Sequence, residues 1–112
     1  MILKKVIEKL DLYLLTSTEV KNARVTGGYT CDLLSDVMAN SRHGNIWITM
    51  QTHQNILAVA KIKDLAAIVV VNGRRPDENT IQKAEEEKVA ILGTKMSAFG
   101  ISGRLHRLLE KP

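Results

Sequence analysis

The stretch Ala66-Ala67-Ile68-Val69-Val70-Val71 is β-branched and apolar with no polar alternation. A strand with one wet face alternates, whereas a continuous apolar strand is buried on both faces, as in a parallel sheet covered by helices. The loop Asn72-Gly73-Arg74-Arg75-Pro76-Asp77 follows. Pro76 stops extended pairing and Asp77 is placed to cap a helix. The same unit stands earlier in the chain. Ile46 to Met50 reads as a buried strand, and Gln51-Thr52-His53-Gln54-Asn55 as a polar turn. Ile56 to about Lys63 reads as an Ala-rich helix, with Thr52 at the expected N-cap.

The remainder extends this alternation. Ile2, Leu3, Val6, Ile7 and Leu10 form one stripe of an amphipathic helix. Leu12 to Thr16 reads as a short extended segment, and Thr16-Ser17-Thr18-Glu19 as a turn. Val20 to Thr26 reads as a strand ended by Gly27-Gly28, and Thr30 as the cap of a helix carrying Cys31, Leu34 and Met38 on one face. A helix with Ile81 and Ala84 inward precedes the strand Val89–Leu92. Ser97 is placed to cap a last helix with Ile101, Leu105, Leu108 and Leu109 inward, in which Gly103 suggests close packing. The pattern predicts one α/β domain over residues 1–112: a helix and lead-in over 1–19, then a β-α-β-α-β-α-β-α core over 20–110. The sheet is expected to be parallel or mostly parallel, with about four strands flanked by helices.

At 112 residues the chain has room for one hydrophobic core. No apolar run approaches the roughly 20 residues of a membrane span, and the first residues lack a signal-peptide pattern. Cys31 is the only cysteine, which excludes an internal disulfide and fits a cytoplasmic setting. The net charge of +4 raises nucleic-acid binding as a function class. Its one cluster, Arg104, His106, Arg107 and Lys111, has no interleaved aromatics to stack bases. Cations at the wet end of a helix explain it better, so nucleic acid ranks third among the partners considered.

Four segments share an order and spacing: Val25-Thr26-Gly27-Gly28-Tyr29, Asp32 to Asn40, Gln51 to Asn55, and Asn72 to Asp77. Together they resemble the small stand-alone members of the DRTGG domain family, over nearly the whole chain. Arg24-Val25-Thr26-Gly27-Gly28 keeps Thr-Gly-Gly but has no Asp-Arg before it, so no role carries over from the family name. The resemblance implies an α/β fold like the N-terminal domain of HPr kinase/phosphorylase. Relatives fused to CBS domains, and in the N-terminal part of some phosphotransacetylases, imply a regulatory or ligand-sensing module.

The residues themselves supply no complete catalytic set. No Gly-x-x-x-x-Gly-Lys-Ser/Thr loop is present, and Gly93-Thr94-Lys95-Met96-Ser97 has the wrong spacing. His43, His53, His106 and Cys31 show no metal-ligand spacing, so neither a metal nor a cofactor is expected. Asp32 and Asp36, four apart, read as one solvated helix face, and Cys31 as a core thiol. The expected site is a pocket at the carboxyl ends of the strands, where open α/β sheets bind ligands. It comprises Thr26, Gly27 and Gly28; Gln51, Thr52, His53, Gln54 and Asn55; Asn72, Gly73 and Arg74; and Thr94 and Lys95. Helix N-termini and the cations Arg74, Arg75 and Lys95 suit an anion there. The reading is therefore a non-catalytic module for a small anionic ligand, such as an adenine nucleotide, or for a protein partner. The alternative is a phosphotransfer enzyme using His53. The near-total apolar character of Ile56 to Ile62 further predicts a homodimer.

Overall fold

Four parallel strands lie side by side in the order in which the chain makes them. A computed structural model describes residues 1–17, 20 and 22–110. They are β2 (Gly27–Thr30), β3 (Asn45–Thr49), β4 (Ala67–Val70) and β5 (Ile91–Gly93). A fifth strand, β1 (Tyr13–Leu14), adds to β5 antiparallel, with Tyr13 opposite Gly93. It is the Leu12–Thr16 extended segment, so the sheet has five strands where about four were expected.

Strands laid down in one direction, joined by crossovers of one hand, put their connecting helices on one face. These are α2 (Leu34–Asn40), α3 (Asn55–Ile62) and α4 (Glu78–Glu87). Their Val37, Ile56, Leu57, Val59 and Ala84 pack with Trp47, Ile68, Val70 and Ile91 of the sheet. The opposite face carries α1 (Leu3–Lys9) and α5 (Ala98–Glu110). Here Leu3, Val6, Ile101 and Leu105 pack with Ile46, Ile48, Val69 and Leu92. Odd and even strand positions thus serve two cores, which is why Ile46–Ile48 and Ala67–Val71 carry no polar alternation. Trp47 is fully buried and its indole N–H donates to the Cys31 carbonyl at 2.8 Å.

Several local expectations are displaced. The strand expected at Val20–Thr26 lies instead at Gly27–Thr30. Among the described residues before it, Arg24 makes an isolated bridge to Ile2, and Val25 N–H bonds the Met1 carbonyl. Val20 to Thr26 has the composition of a strand, but the place beside β3 goes to the glycines. An added Cβ on Gly28 would lie 2.8 Å from Leu105 Cδ2, so the glycine leaves room for that buried methyl of α5. Thr30 caps no helix; its hydroxyl meets Ser102 of α5 at 2.7 Å. Helix α2 starts only at Leu34, so Asp32 and Asp36 share no helix face. Cys31 precedes that helix, half-buried against the core.

Asp77 and Ser97 do cap: they accept the Thr80 and Gly100 N–H groups at 2.8 and 3.1 Å. Gly103 has nothing within 4 Å of an added Cβ, so it marks no close packing. Four of the eight residues of α3, Ile56, Leu57, Val59 and Ala60, are buried, and Ile62 is its exposed large hydrophobe at 68%. The apolar excess expected along Ile56–Ile62 is therefore confined to Ala58 and Ile62. Thr18 and Glu19 of the expected turn, Lys21 and Lys111 lie outside the described residues.

Candidate functional site

Thr26, Gly27 and Gly28 do not share an edge with the other expected site residues. They open β2, at the amino end of the parallel strands. Thr26 Oγ1 donates to the His43 carbonyl at 2.7 Å and accepts from Asn45 Nδ2 at 3.2 Å. The other segments, Gln51–Asn55, Asn72–Arg74 and Thr94–Lys95, follow β3, β4 and β5 and do form the carboxyl edge.

A residue missed by sequence reading organises one side of that edge. Asp32 follows β2, and its Oδ1 accepts from the Thr49 hydroxyl and the Met50 N–H, both at 2.8 Å. The Asp32 carbonyl accepts from Gln51 Nε2 at 2.9 Å. Gln51 N–H in turn bonds Thr49 Oγ1 at 3.1 Å. This clasp ties the loop after β2 to the loop after β3. Gln51 is spent on it, as part of the structure rather than as a free ligand group. Ending β2 at Thr30 makes Asp32 the polar residue just past a strand, and that is the signal by which the sequence exposes it.

At the start of α3, Thr52 is not the cap. The N-cap residue is Gln54, without a side-chain cap bond. Instead His53 Nδ1 accepts the Asn55 N–H at 3.1 Å. An acceptor at Nδ1 places the ring proton on Nε2, so His53 presents an N–H donor outward. His53 is exposed, as are Gln54 and Asn55.

The next two loops lock together. Asn72 and Gly73 take left-handed backbone angles, φ 61° and 67°. Their N–H groups donate to the Met96 and Thr94 carbonyls, each at 2.9 Å. Buried Thr94 is committed as well, its hydroxyl accepting the Met96 N–H at 3.1 Å. Arg74 and Lys95 are exposed, while Arg75 lies 3.5 Å from Glu78. The Thr80 N–H holds the Asp77 carboxyl below its ordinary range, with a smaller pull from His53. Once the internal bonds are subtracted, the edge offers Thr52, His53, Gln54, Asn55, Asn72, Arg74 and Lys95, flanked by the exposed apolar Leu33, Met50 and Phe99.

Concave features lie elsewhere, two of them beside residues named above. A cleft of about 560 Å³ at the amino edge is lined by Ala23, Leu65, Ala66 and Val89, with a His43–Asp64 pair at 2.8 Å on its rim. A groove of about 410 Å³ runs between β2 and α5 and includes Thr26, Gly27 and Gly28. Among the described residues, no group of three His, Cys, Asp or Glu side chains is placed to hold a metal ion. No described helix is long and apolar enough to cross a membrane.

No family model matches the chain, and no curated protein matches it. A solved structure does: the CBS and DRTGG domains of the regulatory region of Clostridium perfringens pyrophosphatase, complexed with its activator diadenosine tetraphosphate. The likeness has a TM-score of 0.73 at 16% identity. It covers 92% of this chain and 44% of that one, so the chain spans less than half of that regulatory region. The fold is a single α/β domain with a mostly parallel sheet, similar to part of that region. This agrees in architecture with the DRTGG resemblance carried by the motifs.

Proposed function

We propose that this protein is a non-catalytic regulatory module that senses a small anionic ligand, with an adenine nucleotide as the first candidate, at the carboxyl edge of its sheet. One observation carries the reading. After the fold's own hydrogen bonds are met, the side-chain donors left at that edge are those of Thr52, the His53 Nε2–H, Gln54, Asn55 and Asn72, with the cations Arg74 and Lys95. Donors and cations beside two helix starts suit a phosphate. The structural neighbour's activator is itself an adenine nucleotide, which favours that ligand class. The alternative, phosphotransfer through His53, is weakened by the capping bond: Nδ1 is occupied and Nε2 carries the proton, so neither nitrogen presents a free lone pair.

Thermal-shift titration with adenine nucleotides and sugar phosphates tests the proposal. A ligand stabilises by about 2.7 kcal/mol at one hundred times its Kd. Arg74→Ala and Lys95→Ala are expected to keep the apo melting temperature and to weaken the shift. His53→Ala is expected to lower the apo value too, through the lost cap. No shift from any compound, or shifts undiminished in both cation variants, overturns the reading. A phosphohistidine lost in His53→Ala would establish the enzyme instead.

A further inference from the structure

We propose that the free edge of β2 pairs with β2 of a second copy of this chain, continuing the sheet across a twofold axis. Asn45 and Thr49 of β3 turn their carbonyls to β4, accepting the Ala66 and Val71 N–H groups at 2.8 and 3.1 Å. Ile48 turns its carbonyl to β2, accepting the Cys31 N–H at 3.2 Å. Alternate residues of a strand bond alternate neighbours. Tyr29 is therefore in step with Cys31 and faces β3, while Gly28 and Thr30 turn their N–H and C=O groups to the open side. Among the described residues, no backbone bond outside the β2–β3 ladder uses either.

Natural edges are usually blunted by lysine, proline, a bulge or brevity. At the far side of the sheet, β1 is two residues long. β2 has four residues, two of them glycine, and none is charged or proline.

The second copy is favoured over other strands because β2 complements itself. A twofold axis perpendicular to the sheet keeps each helix layer on its own side, so same-face residues must stand opposite each other. Centring the axis at Gly28 makes the two Gly28 residues exchange both their N–H···O bonds. The same register sets Gly27 opposite Tyr29 of the other copy. An aromatic ring over a cross-strand glycine is a recognised stabilising pair, and here it occurs twice. The groove beside β2, lined by Leu105 and Leu109 of α5, is covered in the same step.

Sedimentation across a micromolar series, with amide exchange at Gly28 and Thr30, tests the pairing. The wild type is expected to dimerise, and the two amides to exchange more slowly as concentration rises. Gly27→Lys, which displaces the opposing ring and places like charges together, is expected to be a folded monomer. Ile62→Lys on α3 is expected to remain dimeric. A monomer at every concentration, a dimer that survives Gly27→Lys, or a dimer lost only in Ile62→Lys overturns the proposal. If Gly27→Lys fails to fold, the wild-type exchange decides: fast exchange of both amides at all concentrations overturns it.

Discussion

Replacing Asp32 with alanine removes the acceptor that ties the loop after β2 to the loop after β3. Two hydrogen bonds at 2.8 Å are lost, from Thr49 Oγ1 and Met50 N–H. Bonds to a charged acceptor contribute about 1.5–3 kcal/mol each. Asp32 is exposed, which puts both at or below the low end of that range. Thr49 is 1% exposed, so its hydroxyl loses a partner that water cannot easily replace. Leaving a buried hydroxyl unsatisfied costs about 1–3 kcal/mol. The two costs overlap, and the expected loss is about 2–3 kcal/mol, a drop in Tm on the order of 10 °C. Urea unfolding followed by circular dichroism measures it. Asp32→Asn, which keeps an acceptor oxygen, is expected to lose less than half as much. In Thr49→Val the buried hydroxyl is gone, so adding Asp32→Ala is expected to cost clearly less than it does in the wild type. A loss under about 0.5 kcal/mol in Asp32→Ala, or the same cost in both backgrounds, would refute the clasp.

Gly93→Ala would set a Cβ 2.8 Å from Tyr13 Cζ on the strand opposite, so the half-exposed Tyr13 ring is expected to swing aside at a cost of about 0.5–1.5 kcal/mol. Chemical unfolding measures the cost, and Tyr13→Ala in the same chain is expected to relieve most of the clash. The Asp36 carboxyl is held below its ordinary 3.8, chiefly by the Tyr29 hydroxyl that donates to it at 2.5 Å. A depressed folded value means that the stabilisation is full above pH 3.8 and fades as pH falls through the lower folded value. An NMR titration of the Asp36 carboxyl is expected to move toward 3.8 in Tyr29→Phe; an unmoved midpoint would rule out the hydrogen bond as the cause.

The legible elements are those whose sequence and environment agree. Ala66–Val71 reads as a doubly buried strand because each of its residues is apolar and β-branched or small, and nothing distant has to be known. Asp77 and Ser97 read as caps because a cap acts on N–H groups only a few residues away. Val20–Thr26 misleads for the opposite reason. Its residues suit a strand, yet position in the sheet depends on what packs above it, and the close approach of Leu105 favours Gly28.

That displacement of the strand end also accounts for the candidate site. Residues next to the three later strands, Gln51 to Asn55, Asn72 to Arg74 and Thr94-Lys95, reach the expected edge because the apolar runs before them end where β3, β4 and β5 end, to within a few residues. The Thr-Gly-Gly segment goes to the opposite end, and Asp32 takes its place. The pattern of apolar runs and caps by itself determined the layered α/β architecture and where most loops emerge, since burial on both faces leaves few alternatives. Tertiary structure alone decided two things: which side chains at the edge are consumed by the fold, and which strand edge is left without a backbone partner among the described residues. Each is settled by hydrogen bonds between residues far apart in the chain, such as Thr49 with Asp32 and Cys31 with Ile48, and no local pattern encodes those pairings.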